Sequence, residues 1–477
     1  MIGHNFIDGR WVAGDLQPTR NPSDLDEVVG EYAQASVAQV EEAVAAARRA
    51  LPAWRSFNIQ ARADMLRCIG DAVLGRREEI RLLLAREEGK TLREAMGETT
   101  RAAQVFHYFS GDALRQPGRF IPGLRDGQDV IVSHEPVGVT GLITPWNFPV
   151  AIPAWKAAAA LAFGNCCVLK PSEFTPGCAV LLTRILEEAG LPAGVFNLVM
   201  GDGRSLGNAL ITGCDAISFT GSSPTGRAIA VEAAKTMTKL QLELGGKNPL
   251  IVLDDADLDI AVDAALQGTF GQTGQRCTGS SRLIVEDGIH DVFVDRLARE
   301  VGALRVGHAL DEDTQLGPVA NEPQYRKDLS YIASAKDEGA ELLVGGTPVE
   351  ARTRGLYLAP TLFVGTHNAM QLNQEEVFGP VAGVIRVSDV DEAIAVATDS
   401  AYSLSSGICT RSGRSAERFR RASTSGLVMV NAATAGIDYH VPFGGRAPSG
   451  FGGREMGWAS SEFFTESKTA YINHGVR

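Results

Sequence analysis

Cysteine is sparse in this 477-residue sequence: seven residues, at positions 68, 166, 167, 178, 214, 277 and 409, with no CxxC pair. An odd count without paired spacing argues against a disulfide framework and against a structural zinc site, so no metal is expected. A reducing cytoplasm is the expected location. No run of Lys and Arg forms a basic patch, and the formal net charge is −12. Nucleic acid and acidic membrane surfaces are therefore poor partners. Long hydrophobic runs are also missing. The nearest approach, AIPAWKAAAALAFGNCCVL at 151–169, is broken by Pro153, Lys156 and Asn165. It reads as a buried helix running into a strand rather than as a membrane span. The opening MIGHNFIDGRWVAG has no basic segment followed by an apolar stretch, so no secretory leader is expected. No GxGxxG follows a strand; GDGRSLG at 201–207 has one residue too many before its last glycine.

What is present is an ordinary globular composition, 44% apolar and 21% charged, on a chain long enough for two or three domains. Residues 37–115 carry helical spacing, as in VAQVEEAVAAARRAL and EEIRLLLAREEGK. From 128 to 143 the texture changes to extended strands. Between 150 and 253, helices near 153–162, 176–189, 203–211 and 224–234 alternate with the short apolar runs CCVLK, VFNLVMG, AISFTGS, LQLELGG and PLIVL. That alternation predicts a parallel sheet covered on both faces. A second α/β set runs from about 257 to 431, with strands at SRLIVED, ELLVGG, GPVAGVIRV, SSGICT and GLVMVNA and helices at 290–304, 324–339 and 391–398. The tail KTAYINHG reads as a terminal strand that pairs with a neighbouring subunit, because a lone exposed edge invites unwanted pairing.

Five segments carry chemistry. GQTGQRCTGSSR at 271–282 sets Cys277 among Gly, Ser, Thr and Arg, where backbone can approach a ligand and N–H groups can face an oxyanion. Most single cysteines are merely packed, as Cys166, Cys167 and Cys409 are expected to be in their apolar strands. A Gly-rich polar loop before a strand reverses that expectation and marks Cys277 as a nucleophile. None of the eight histidines sits in a comparable setting. A carboxylate does: Glu243 closes an apolar strand before Gly245 and Gly246, where burial would raise its pKa and suit a general base. An ion pair with Lys247 or Lys239 explains it equally well. Asn147 in TPWNFP is placed either to donate to an oxyanion or to bond a turn. KPSE at 170–173 puts Lys170 and Glu173 at a strand's carboxyl end, where such sheets bind ligands. FTGSSPTG at 219–226 puts Ser222 and a helix N-terminus where they could face a pyrophosphate. Taken singly, a solvated Lys/Glu pair and an ordinary helix cap account for these two.

Taken in order, PWNFP, KPSE, FTGS, LELGGKNP, GQRC, EEVFGP and PFGG resemble the aldehyde dehydrogenase superfamily over essentially the whole chain, starting from FIDGRWV. The resemblance implies an α/β fold with a modified Rossmann cofactor domain (1–124 and 141–246, with part of 447–460), an α/β catalytic domain (247–446) and oligomerisation strands (125–140 and 461–477) that build a homodimer or homotetramer. It implies Cys277 as nucleophile, Glu243 as general base, Asn147 as oxyanion donor and Glu455 of GREMG as a second acid for proton relay. The cofactor contacts it implies are Thr144, Trp146, Lys156, Lys170, Ser172, Glu173, Gly221, Ser222, Leu244, Gly245, Glu376 and Phe378. Glu173 would accept from a 2′-hydroxyl and repel a 2′-phosphate, so NAD is expected first; Lys170 and Ser172 leave room for NADP.

The segments LITPWNFPVAIPAWKAA, GQRCTGSSRLIVEDGIHD and AGIDYHVPFGG are similar to the branch that oxidises α-ketoglutaric semialdehyde (2,5-dioxopentanoate) to 2-oxoglutarate. An acidic substrate implies a basic group in the access tunnel. Arg276, beside the nucleophile, and Arg101, on the helix ETTRAAQVFHYF, are the candidates, with Trp155 and Phe443 as further substrate contacts. Arg101 reads equally as a solvated helix residue. Succinic semialdehyde or an aromatic aldehyde would use the same machinery. A cysteine esterase or thioesterase would need neither Glu376 nor KPSE, and a purely structural protein would not need Cys277, Glu243 and Asn147 together.

Overall fold

A computed structural model describes residues 1–115 and 118–475; the last two residues expected in the C-terminal arm lie outside the described residues. Two large sheets dominate it. The first has eight strands in the spatial order Gly450–Gly452, Lys239–Glu243, Ala216–Thr220, Val139–Ile143, Cys166–Lys170, Phe196–Leu198, Asn5–Ile7, Arg10–Val12. The five strands from Lys239–Glu243 to Phe196–Leu198 are parallel, as the alternating pattern predicted. Gly450–Gly452 and Asn5–Ile7 run antiparallel to them, and Arg10–Val12 pairs antiparallel with Asn5–Ile7. In chain order the five read fifth, fourth, first, second, third. The direction of winding therefore reverses between Val139–Ile143 and Ala216–Thr220, and in such sheets the crevice beyond the carboxyl ends at that reversal is where ligands bind.

The second sheet has seven strands, in the order Glu341–Val344, Thr361–Thr366, Val381–Val387, Ser280–Glu286, Asn248–Val252, Ser405–Cys409, Leu427–Val430, all parallel except the first pair. The chain crosses from one sheet to the other over residues 244–247. The carboxyl end of Lys239–Glu243 thereby abuts the amino end of Asn248–Val252.

Local chemistry sets the helix starts. Ser36 and Thr91 each close a capping box, with Gln39 and Glu94, ahead of helices Val37–Arg55 and Leu92–Asp112. Asp202, Asp257 and Asp389 cap three more. Helix Ala151–Ala162 is buried at every position, and its alanines let it lie close against both the sheet and Leu92–Asp112. Among the described residues, no helix is long and apolar enough to cross a membrane.

Three elements escape the periodicity reading, each for a physical reason. Helix Leu258–Phe270 is apolar on most faces and so lacks a stripe. Helix Gly413–Ala422 buries only Phe419, and strand Thr361–Thr366 is short and interrupted by Gly365. The first 34 residues form five strands that composition did not announce. The C-terminal strand Thr465–Asn473 is present and pairs antiparallel with Gln128–Pro136 of its own chain, at the edge of its sheet. With Gly118–Pro122 the two form a three-stranded arm.

Between helices Arg77–Glu87 and Leu92–Asp112 the chain must reverse within four residues. Gly89 does this at φ +92°, and a β-carbon there would meet Pro318 Cγ at 2.7 Å. Gly89→Ala is expected to cost about 1–3 kcal/mol, read as a lowered thermal midpoint. An unchanged midpoint would contradict that account of the turn.

Candidate active site

Cys277 sits between two cavities. One, of about 160 Å³, lies at the reversal point of the first sheet and is lined by Pro145–Asn147, Thr220–Ser222, Leu244, Gly245, Gln324, Lys327, Glu376 and Phe378. The other, of about 550 Å³, is lined by Arg101, Phe148, Trp155, Arg276, Phe443 and the 435–438 loop among others. Both reach Cys277, Ile152 and Thr220. One sulfur is therefore open to two compartments, and the other described cysteines apart from exposed Cys68 are buried.

Burial, with the carboxyls of Glu376 and Glu243 nearby, pushes the Cys277 thiol up to about 12. Asn147 is 3% exposed, and its Nδ2 donates to the main-chain oxygen of Gln275 at 2.9 Å. An amide nitrogen has two hydrogens, so one donor remains.

Glu243 is 3% exposed at the end of its strand. It makes no ion pair with Lys247 or Lys239; Lys239 pairs with Glu466 instead. It accepts from the Gly445 N–H at 3.1 Å. Burial first, then the charge of Glu455, holds its carboxyl well above the ordinary range. Glu455 accepts from Trp155 Nε1 at 2.8 Å, from Ser218 Oγ at 3.3 Å and from Lys156 Nζ. Lys156 thus reaches Glu455 rather than the wall of either cavity.

The remaining expected contacts fall into two groups. Trp146, Gly221, Ser222, Leu244, Gly245, Glu376 and Phe378 line the smaller cavity. Glu376 accepts from the Gly246 N–H at 2.9 Å, and a β-carbon on Gly245 would collide with its carboxylate. Trp146 and Phe378 meet edge to face at 5.5 Å. Lys170, Ser172 and Glu173 lie farther along the strand ends, and Thr144 is buried beside them, its N–H on the Lys170 carbonyl. Lys170 is 4% exposed, yet its nearest carboxylate is Glu173 at 3.7 Å, half in solvent. Burial lowers its pKa. A buried ammonium so poorly matched is a site that a polar ligand would complete. Ser222 caps helix Ser223–Ala234, its hydroxyl on Thr225 Oγ1.

Sequence reasoning missed Gln324 and Lys327. Helix Glu322–Asp337 brings both to the smaller cavity, where Gln324 Nε2 donates to the Val377 carbonyl at 2.8 Å and Lys327 Nζ to that of Glu376 at 2.7 Å. It also missed the backbone. Gln272, Thr273, Phe378 and Met456 all have φ between +55° and +70°, a conformation that costs side chains of this size free energy and clusters at functional sites.

In the larger cavity, Arg276 Nε and Arg101 Nη1 are buried without partners. Two of the three acids there are engaged. Glu94 accepts from the N–H groups of Thr91 and Gln272. Glu98 faces Lys90 at 3.1 Å and takes two backbone N–H groups. Asp438 is exposed.

This geometry agrees with comparisons against known proteins. Residues 11–470 match the Aldehyde dehydrogenase family, and the chain belongs to that family. It is 41% identical, over 98% of its length and 97% of the relative's, to the alpha-ketoglutaric semialdehyde dehydrogenase of Bacillus subtilis. It is 40% identical, over 99% and 97%, to the betaine aldehyde dehydrogenase of Rhizobium leguminosarum. The betaine aldehyde dehydrogenase of Staphylococcus aureus, solved with NAD+, superposes with a TM-score of 0.96 at 36% identity, covering 99% of this chain and 95% of that one. The aldehyde dehydrogenase fold expected from the motifs is therefore the fold observed.

A thiol near 12 is almost wholly protonated at neutral pH, and only the thiolate alkylates. In the ligand-free protein, the iodoacetamide reaction of Cys277, followed by peptide mass, is expected to quicken about tenfold per pH unit from 7 to 10. A plateau below pH 9 would contradict the burial and charge argument.

Proposed function

We propose that the protein oxidises a carboxylate-bearing semialdehyde, with 2,5-dioxopentanoate the best fit, to the corresponding acid, using NAD in preference to NADP. The observation that carries the substrate class is the pair of unpartnered buried guanidinium nitrogens in the cavity beside Cys277. Overall identity does not decide, since relatives at 40% and 41% are named for a cationic and an anionic aldehyde. A quaternary ammonium is recognised by open aromatic faces. Here Arg101 lies over Tyr439 at 5.3 Å and Lys90 over Phe148 at 4.7 Å, so two of those faces already carry cations.

The smaller cavity fits a dinucleotide: Gly245 leaves room beside Glu376, and Lys170 with Glu173 is set where an adenosine ribose would lie. Bound NAD supplies a hydride acceptor. The chain supplies the rest. Cys277 gives its thiol proton to the Glu243 carboxylate as Sγ bonds to the aldehyde carbon, while the free hydrogen of Asn147 Nδ2 meets the oxygen that gains charge. Oxidation leaves a thioester on Cys277. Glu243, its carboxyl raised by burial and by Glu455, takes a proton from the water that releases the acid. Glu455, gripped by Lys156 and Trp155, is placed to pass that proton on. Glu173 favours the 2′-hydroxyl of NAD. The domain division set out above (1–124 with 141–246, then 247–446) assigns cofactor and nucleophile to the two sheets. The arm of 125–140 and 461–477, with Tyr471 69% exposed and Phe120 of the adjoining strand 65% exposed, serves a homodimer or homotetramer. The seven free thiols suit the cytoplasm.

Absorbance at 340 nm with a panel of aldehydes tests this. Cys277→Ala should reduce turnover to background without changing the circular dichroism spectrum; retained activity would remove the nucleophile. Charge-assisted hydrogen bonds are worth about 1.5–3 kcal/mol. Arg101→Ala and Arg276→Ala should therefore each lower kcat/KM for 2,5-dioxopentanoate by ~10–100-fold, and for an uncharged aldehyde of equal length by less than about threefold. Equal losses on both, or betaine aldehyde as the best substrate, would overturn the substrate class.

A further inference from the structure

Behind the oxyanion side of the site lies a buried ionic cluster that the reaction does not touch. Lys90, Glu88 and Glu98 are 2%, 1% and 3% exposed. Lys90 Nζ lies 3.1 Å from Glu88 Oε1 and 3.1 Å from Glu98 Oε2. The same ammonium donates to the main-chain oxygen of Asn147 and sits 4.7 Å over the Phe148 ring. Glu98 Oε1 accepts from the N–H groups of Val150 at 2.9 Å and Ala151 at 3.0 Å. Those N–H groups begin helix Ala151–Ala162, whose own cap residue, Val150, offers no side-chain acceptor. Two side chains thus hold residues 147–151 at four points, and all four lie on the main chain or on the ring beside it.

Stability does not account for the cluster. A buried ion pair is often no more stabilising than apolar residues of the same shape. Both Glu88 oxygens lack a hydrogen-bond donor, and burial pushes that carboxyl up to about 8. What apolar residues could not do is grip a carbonyl and two N–H groups of a loop.

We propose that Lys90 is a positioning residue for catalysis, fixing the main chain of Asn147 so that its side-chain amide is held toward the oxygen of the substrate bonded to Cys277. The proposal rests on Asn147 as oxyanion donor. Glu98 completes the device by holding the helix start that follows, and Glu88 supplies bulk and polarity rather than charge.

The test is a double-mutant cycle on the full-length enzyme with NAD and the best aldehyde found. Asn147→Ala is expected to lower kcat by ~100–1,000-fold. Lys90→Met is expected to lower kcat at least tenfold, with KM for NAD and the iodoacetamide rate of Cys277 within about twofold of the parent. Lys90→Arg should recover part of the loss. Combined with Asn147→Ala, Lys90→Met should add almost nothing, because its effect passes through the amide. Should Lys90→Met not fold, Lys90→Arg and Glu98→Gln enter the same cycle with the same expectation of non-additive loss, and Glu88→Gln should be near the parent. Losses that multiply, or a parental kcat in the Lys90 variants while Asn147→Ala is slow, overturn the positioning role alone. A parental kcat in Asn147→Ala overturns the oxyanion reading, and the proposal with it.

Discussion

A sulfur that must form and release a covalent bond cannot be sealed in a core, yet a sulfur in open water would be oxidised and hydrolytically wasteful. The position of Cys277 resolves that conflict, and much of the architecture follows from it. The residue lies at the narrow place between two cavities, reachable from both and surrounded by protein on its other sides. In that setting the nearby carboxyls of Glu376 and Glu243 matter more than they would in water, because the low local dielectric lets them act on the thiol strongly. The resting group keeps its proton.

The two sheets provide this arrangement through a single crossing. Residues 244–247 leave the carboxyl end of one sheet and enter the amino end of the other, carrying Glu243 on one side of the junction and Asn248 on the other. Asn248 then donates to the carbonyls of Cys277 and Gly279 at 2.8 and 2.9 Å, tying the nucleophile's loop to the strand that follows the base. Glu243 and Cys277, 34 positions apart in sequence, are thus linked through the Asn248 side chain. Gly245 and Gly246 are required there because the backbone passes against the Glu376 carboxylate and the Cys277 carbonyl.

How much of this was legible in the sequence depended on whether the signal was local. The parallel strands of the first sheet and the helices between them followed from alternation of short apolar runs with 10–15-residue helical patterns, and the boundaries agree to within two or three residues. Cys277 stood out because a packing cysteine does not sit in a Gly-rich polar loop. Glu243 did not stand out alone: its neighbours Lys239 and Lys247 offered a pairing that only the fold dissolves, by sending Lys239 to Glu466. Gln324 and Lys327 had no local signal, since a Gln and a Lys on an amphipathic helix look solvated until the Val377 and Glu376 carbonyls arrive from 50 residues away. Of the early strands, Asn5–Ile7 also joins a distant partner at 196–198, while the rest pair with one another without a sustained alternation.

Charge inside the larger cavity is a better guide to substrate than overall similarity, and the reason is quantitative. Relatives named for a cationic aldehyde and for an anionic one differ by only a percentage point in identity to this chain, because most of their length builds the same two sheets. Discrimination needs few residues. Leaving a buried guanidinium N–H unpaired costs a free energy comparable to a charged hydrogen bond, and the two arginines that carry such groups both line the same cavity. Glu94 and Glu98 are nearest in character to what would attract a cation, but each is saturated by backbone N–H groups or by Lys90. A ligand carboxylate satisfies both arginines at once, whereas a quaternary ammonium would leave them unpaired and add repulsion. Lys90 lies in the short turn at Gly89 that leads into the helix carrying Arg101. The same backbone reversal that lets Lys90 grip the main chain of Asn147 therefore also sets Arg101 on the wall of the larger cavity, so the two sides of the Cys277 site share one structural origin.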